Sequence, residues 1–139
     1  MLIRIIYVSS AVGPQTGTMT NAILKKARAW NQANGVTGVL CQGQGVFLQA
    51  IEGERKTVTQ LYSRICADQR HTNVQILHCE SILKRRYESW SMALVSLSDI
   101  DPTTKIEWPE FDPYSITGML VMTRIDDLLA SGSIINASD

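Results

Sequence analysis

The chain of 139 residues is long enough for one domain with a small appendage, and its 45% hydrophobic and 19% charged residues indicate a globular protein. Thirteen basic residues balance thirteen acidic ones, so the surplus positive charge of a general nucleic-acid binder is absent. No segment is long and apolar enough to span a bilayer, and the short N-terminal apolar run lacks a signal-peptide cleavage site. A cytoplasmic protein is therefore expected.

Three cysteines, Cys41, Cys66 and Cys79, occur without a CxxC spacing. Each lies in an apolar stretch, which predicts small buried residues in a reducing compartment. The two histidines are not paired at metal-ligand spacing, so no metal site is expected.

Hydrophobic periodicity predicts a β-α-β-β-α-β-β order over residues 1–98. The predicted strands cover 2–8, 36–42, 46–51, 73–83 and 91–97, and the predicted helices cover 19–34 and 56–67. Thr18 or Thr20 is the predicted cap of the first helix, Gly35 its C-terminal glycine, and Gly53 the end of the third strand. A sheet built from such units packs both helices on one face, with a groove between them.

The composition changes after Ser98, where Pro102, Pro109 and Pro113 punctuate a looser stretch. Residues 115–129 then read as a last helix. This helix is expected to pack on the second face of the sheet through four apolar positions, which are Ile116, Leu120, Ile125 and Leu129. The chain thus divides into a domain at 1–98 and a helical extension at 99–139.

Two polar side chains are predicted to lie on apolar strand faces. Tyr7 follows Ile3 and Ile5 on one face of the first strand, and Gln49 lies among large apolar residues of the third. An unpaired buried amide costs about 1–3 kcal/mol, so Gln49 requires partners, and a tyrosine hydroxyl can both donate and accept. The pattern by itself fits an ordinary satisfied core amide as well as a functional pair.

Common catalytic and nucleotide-binding signatures are missing. The sequence contains no GxSxG, no GxxxxGK and no GxGxxG. Hydrolytic chemistry therefore has no specific support, and no enzymatic activity is expected.

Five stretches of the chain, in register over most of residues 1–98, together resemble the BLUF family of flavin-binding blue-light sensors. They are IIYVSS at 5–10, NQANGVTGVL at 31–40, FLQAIEGE at 47–54, LYSRICADQRH at 61–71 and RRYESWSM at 85–92. Two minor departures are Ile51, where leucine is common, and Gln42, where an aromatic residue is frequent. The resemblance implies a ferredoxin-like α/β sandwich.

The resemblance also implies that a flavin ring lies between the two helices. Ile23 and Ile65 would pack on its two faces. Asn31 would hydrogen-bond its polar edge, and Asn34 is a weaker candidate near the same end of the helix.

The tail of the cofactor is implied to lie near charged residues. Arg64 would meet its phosphate or ribityl group, and Asp68 and His71 would border it. The family usually carries FAD, with FMN or riboflavin as alternatives.

The family's photochemistry implies roles for four further groups. Tyr7 would supply an electron and a proton to the photoexcited flavin, and Gln49 would rotate or tautomerise to form a new hydrogen bond. Trp90 and Met92 would then be alternative neighbours of the glutamine on the fifth strand. A change there would reach residues 99–139 and an unknown protein partner, or a second copy of the chain.

Two other functions remain open from the sequence. One is a flavin-dependent oxidoreductase, and the other is a cofactor-free ferredoxin-like interaction or RNA-binding module. The first requires an open substrate site over the flavin, for which the sequence offers no signal.

Overall fold

The computed structural model describes residues 1–97 and 112–130 and the backbone of 134–136. In chain order the elements are β1 (Leu2–Ala11), α1 (Gly17–Asn34), β2 (Thr37–Gly43), β3 (Val46–Glu54), α2 (Arg55–Cys66), β4 (His71–Ile82), β5 (Ala93–Ser96), α3 (Gly118–Ala130) and β6 (Ile134–Asn136). The predicted order through β5 is confirmed. The three-residue strand β6 was not predicted, because so short a strand shows no period of its own.

One six-stranded sheet organises the chain in the order β4-β1-β3-β2-β5-β6. β2 and β5 run parallel, and the other neighbouring pairs are antiparallel. The predicted β2–β3 hairpin is present, with its turn at Gln44 and Gly45. β3 continues through Gly53 to Glu54, so the prediction that Gly53 ends the strand was wrong. The pairing of β1 with β3 continues past this glycine, which meets Ile3 in the register.

The start of α1 differs from the prediction, and its end agrees. Thr16, with extended backbone angles, caps the helix, and its side-chain oxygen accepts from the backbone N–H of Met19 at 3.2 Å. The candidates Thr18 and Thr20 both lie inside the helix. Gly17 is the first residue of the helix, two residues before the predicted start. Gly35 ends the helix with a left-handed φ of 66°, a conformation that glycine adopts without steric cost.

Each face of the sheet carries its own hydrophobic core, because strand side chains alternate between the two faces. α1 and α2 cover one face, where the buried residues include Ile5 and Ile51 of the strands and Leu24 and Val58 of the helices. α3 covers the other face. The ferredoxin-like sandwich, with two helices on one face and a C-terminal helix on the other, is confirmed.

The packing face of α3 is displaced from the predicted one. Ile125 is buried as expected, and Ile116 and Leu129 are half-buried against the same core. Leu120, however, is 43% exposed, so its assignment to the buried face was wrong. The helix begins at Gly118 rather than residue 115, and its buried face is formed by Val121, Met122, Ile125 and Leu128.

The cysteines do not share one environment. Cys41 is buried in the core under α3, and burial raises the pKa of its thiol to about 12. Cys66 and Cys79 are exposed, so the prediction that all three are buried was wrong. Cys66 is the last residue of α2, and Cys79 lies on the edge strand β4, where the apolar sequence context does not ensure burial.

Some expectations fall on other parts of the chain. Pro102 and Pro109 and the proposed boundary at residues 98 and 99 lie outside the described residues. None of the helices in the described ranges combines the length and apolar character needed to cross a membrane.

Candidate functional site

Tyr7 and Gln49 are brought together by strand register. They are directly opposite each other where β1 pairs with β3, at the centre of the sheet. The Tyr7 hydroxyl donates to Gln49 Oε1 at 2.5 Å, and both side chains are buried. Burial raises the pKa of Tyr7, with further contributions from Cys66, Tyr62 and Asp68, so the hydroxyl keeps its proton at neutral pH.

The other end of the Gln49 amide faces β5. Its Nε2 donates to Met92 Sδ at 3.5 Å, a distance within reach of a hydrogen bond to sulfur. Met92 is fully buried in the core beneath α1 and α2. The half-buried Trp90 packs against the core on the opposite face of the sheet, under α3. Met92 is therefore the neighbour of the glutamine in this structure.

A cavity of about 350 Å³ lies beside this pair, between α1 and α2. Most of the residues expected at a binding site line it, namely Tyr7, Ile23, Asn31, Gln49, Arg64, Ile65, Asp68, His71 and Met92. The cavity also contacts residues that were not assigned to a site, namely Lys26, Ala27, Trp30, Leu40, Phe47, Leu61, Ala67 and Arg70. Its volume is within the range of pockets that bind small molecules.

Asn34 and Trp90 do not line the cavity. Asn34 is exposed, and its Nδ2 donates to the carbonyl of Trp30, one helical turn earlier. The side chain therefore satisfies the helix end rather than reaching the groove, as is common for asparagine in a last helical turn.

Asn31 and Arg28, one helical turn apart on α1, hold the start of β5. Asn31 is buried, and its Nδ2 donates to the carbonyl of Ser91 at 2.7 Å. Arg28 Nε donates to the carbonyl of Met92 at 2.9 Å. Two consecutive carbonyls are thus fixed from the helix that forms one wall of the cavity. Sequence reasoning missed Arg28, because a charged helix residue is usually exposed to solvent.

His71 closes the cavity on the side of β4. Its Nε2 lies 2.6 Å from the carbonyl of Ile65, and its Nδ1 lies 2.7 Å from Ser9 Oγ. A carbonyl only accepts, so Nε2 carries the proton and Nδ1 accepts from the serine hydroxyl. The ring also meets Tyr7 and Phe47 edge-on, with centroids 6.2 Å apart. Both nitrogens are engaged within the protein, and His71 forms a rigid wall.

Charged groups form part of the cavity lining. Arg70 binds the Asp68 carboxylate through two guanidinium nitrogens, and this hydrogen bonding lowers the pKa of Asp68 to about 2. The Arg64 guanidinium lies 5.0 Å from the ring centroid of Trp30, a cation–π distance. With Lys26, the cavity lining holds three cations and one carboxylate. Such a surplus of positive charge suits an anionic group.

No metal cluster competes for this site. Among the residues that the structure describes, no group of three or more His, Cys, Asp or Glu side chains is placed to hold a metal ion.

Comparison with known proteins gives curated relatives for the N-terminal two thirds of the chain. Photoactivated adenylate cyclase subunit beta of Euglena gracilis is 35% identical over 92 residues, which are 66% of this chain and 11% of that protein. The blue light- and temperature-regulated antirepressor BluF of Escherichia coli (strain K12) is 31% identical over 97 residues, 70% of this chain and 24% of that protein. The chain thus spans only about a tenth to a quarter of the length of these relatives.

Solved structures match over nearly the whole chain. The photo-activated state of BlsA superposes with a TM-score of 0.83 at 27% identity, covering 96% of this chain and 98% of that one. The dark state of BlrB, a BLUF protein, superposes with a TM-score of 0.78 at 26% identity, covering 93% and 95%. The sequence model of the BLUF family, described as sensors of blue light using FAD, matches residues 2–93. Because this match covers well over half of the chain, the protein belongs to the BLUF family of flavin-binding blue-light sensors.

Proposed function

We propose that the chain is a photoreceptor in which Tyr7 donates an electron to a photoexcited flavin. Gln49 then converts this electron transfer into a structural change. The observation that carries the proposal is the hydrogen bond from the Tyr7 hydroxyl to Gln49 Oε1, made by two buried residues that both line the cavity. A merely structural pair would have no reason to border an open cavity of this size.

The lining of the cavity suits a flavin. Ile23 of α1 and Ile65 of α2 both line it, so apolar side chains from two helices are available for the faces of a flat ring. Gln49 and Asn31 offer amide groups that can serve both donors and acceptors on the ring's edge. The three cations of the lining suit a phosphate, which favours FAD or FMN over riboflavin. We propose FAD, in line with the family description.

The mechanism follows from what these side chains can do. A bound flavin supplies a strong oxidant when it absorbs blue light. Tyr7, buried and protonated, would be the electron donor to that oxidant, and its proton would pass to Gln49 Oε1, the atom its hydroxyl already contacts, and return to Tyr7 with the electron. Gln49 is the group that contacts Tyr7 on one side and Met92 on the other, and it can exchange its donor and acceptor ends. Rotation or tautomerisation of this amide leaves a changed hydrogen bond after the electron returns.

The rearrangement of the Gln49 amide first affects Met92, the residue just before β5. The amide of Gln49 donates to Met92 Sδ, and reversal of the amide removes that donor and presents an oxygen to the sulfur instead. We propose that Met92 then shifts and that Trp90, two residues away on the opposite face, moves with it. The C-terminal segment from residue 99 carries the output in this proposal.

Output through another molecule agrees with the relatives. The matching region is a small fraction of two longer proteins, one named as an adenylate cyclase subunit and one as an antirepressor. We propose that this domain has no catalytic activity of its own. It signals in the cytoplasm to a protein partner, or to a second copy of the chain.

An absorption spectrum before and after blue light tests the proposal. We expect a yellow protein with a reversible red shift in the wild type and no photocycle in Tyr7→Phe. Tyr62→Phe is the matched control, because its ring packs edge-on against Tyr7 at 5.8 Å but does not line the cavity. A full photocycle in Tyr7→Phe contradicts the mechanism. A yellow protein bleached by NAD(P)H without a red shift supports an oxidoreductase instead.

A further inference from the structure

Residues 85–92, which lie between β4 and β5, contact four other elements of the fold and are called the connecting segment below. Its beginning is anchored by β3. The buried carboxylate of Glu52 accepts from the backbone N–H of Arg86 at 2.9 Å and from that of Tyr87 at 2.8 Å. The Arg85 guanidinium also donates to the carbonyl of Gly35 at 2.7 Å. These hydrogen bonds hold residues 85–87 in place at the start of the segment.

The end of the connecting segment is held from β2 and α1. The carbonyl of Trp90 accepts from the backbone N–H of Gly38 at 3.1 Å. The next two carbonyls accept from Asn31 and Arg28, as described above. Because both ends of the connecting segment are held, we expect a displacement of Met92 to be passed along it toward residues 86 and 87.

The connecting segment also binds α3 on the far face of the sheet. The Arg86 side chain pairs with the Asp126 carboxylate, with Nε 2.8 Å from Oδ2. The Tyr87 hydroxyl donates to Asp126 Oδ1 at 3.3 Å, and its ring is buried in the core that α3 covers. The Asp126 carboxylate therefore accepts from the side chains of Arg86 and Tyr87, and the backbone N–H groups of the same two residues donate to Glu52.

The contacts that Glu52 and Asp126 make with the connecting segment differ in how easily they break. Glu52 is fully buried, and the loss of a partner from a buried ion pair is costly. The Arg86 and Asp126 side chains are 42% and 36% exposed, and an exposed ion pair contributes little net stability. A movement of the connecting segment would therefore be expected to break the contact at Asp126 before the contact at Glu52.

We propose that Asp126 is a positioning residue that couples α3 to the photochemical site through Arg86 and Tyr87. A light-driven change at Gln49 and Met92 shifts the connecting segment, weakens its contact with Asp126 and loosens the docking of α3. The inference rests on the proposed function, and it identifies the contact through which the signal reaches the C-terminal part of the chain.

Hydrogen exchange of the α3 amides, measured by mass spectrometry on the flavin-bound full chain in the dark and under blue light, tests this coupling. In the wild type we expect α3 to exchange about threefold faster or more in the light, because local opening sets the exchange rate. In Asp126→Asn the light-minus-dark difference should fall to a small fraction of the wild-type value, while the red shift of the absorption spectrum remains. Asp127→Asn, which changes the neighbouring residue on the same helix, should behave as the wild type.

The outcomes separate this inference from the proposed function. Loss of the red shift in the wild type contradicts the proposed function itself. A red shift without any change in α3 exchange, or an Asp126→Asn chain that keeps the full exchange difference, overturns the coupling alone. If Asp126→Asn already exchanges fast in the dark, Asp126→Glu decides the matter. Restoration of the light response by the retained charge supports the coupling, and its failure to restore the response overturns it.

Discussion

The side-chain nitrogen of Gln49 lies 3.5 Å from the sulfur of Met92, and this contact ties the amide to one orientation. In that orientation Oε1 faces the Tyr7 hydroxyl, which is the only arrangement in which both ends of the amide have a suitable partner. The reversed amide would still find an acceptor in the Tyr7 hydroxyl, but it would direct an oxygen at a sulfur that has no proton to donate. The sulfur of Met92 thus stabilises this orientation of the Gln49 amide.

Met92→Leu tests this role. Leucine conserves the volume of the side chain but removes the sulfur acceptor, so the resting orientation of Gln49 loses a weak hydrogen bond worth about 0.5 kcal/mol. We expect dark recovery after blue light to be about twofold slower, because 0.5 kcal/mol corresponds to roughly that factor in rate. Recovery is measured by the decay of the red-shifted absorption. Met119→Leu is the control, since Met119 is 69% exposed on α3, and an unchanged or faster recovery in Met92→Leu would refute the role.

The raised pKa of the buried Tyr7 predicts that the folded chain loses stability at alkaline pH. Its pKa is raised by burial, so above pH of about 10 the unfolded chain ionises this tyrosine while the folded chain keeps the proton. Stability from this source is complete below that pH and is lost as pH rises. Between pH 8 and pH 11 we expect Tyr7→Phe to lose about 1.4 kcal/mol less unfolding free energy than the wild type. Urea unfolding at both pH values measures the difference, and equal losses in the two chains would rule out the buried, protonated tyrosine.

The buried carboxylate of Glu52 is expected to dominate the stability of its region. It receives Arg4 Nε at 2.8 Å as well as two backbone N–H groups, and Glu52→Gln removes the charge while keeping the shape. We expect a loss of about 3 kcal/mol, because Arg4 is buried and, among the residues that the structure describes, retains only Glu80 as a carboxylate partner. Glu54→Gln provides the matched control on the same strand.

The control should lose less than about 1 kcal/mol, because the Glu54 side chain is 62% exposed and pairs with the terminal amine at the surface. Urea unfolding at neutral pH distinguishes the two variants. Equal losses would mean that the burial of Glu52 adds nothing to its contribution.

Local sequence patterns correctly predicted which side chains share a face of a strand, because this property depends on that strand alone. Tyr7 and Gln49 were each placed on an apolar strand face by strand alternation, and both are buried beside the cavity. Strand register, which sets Tyr7 opposite Gln49, is a pairwise property of two strands and required the structure. The resemblance to a family supplied the pairing in advance of any geometry.

The sequence did not predict the long-range contacts of charged residues. Neither the burial of Glu52 nor the anchoring of the segment after β4 was predicted. The structure makes Glu52 a buried anchor because Arg4 and two backbone N–H groups converge on it from other elements. No local pattern reveals such a site, because each of its parts is an ordinary surface residue in its own sequence context.

Gly118 is expected to set how closely α3 approaches the sheet. A Cβ atom at this position would lie 2.3 Å from Nδ1 of His78, so Gly118→Ala forces the ring or the helix to move. We expect a loss of about 1–2 kcal/mol from overpacking, even though alanine favours helix more than glycine does. The effect is measured by urea unfolding in two backgrounds, the wild type and His78→Ala. Removing the ring removes the clash, so Gly118→Ala should become neutral or stabilising in the second background. An equal loss in both backgrounds would show that the contact with His78 does not limit the approach of α3.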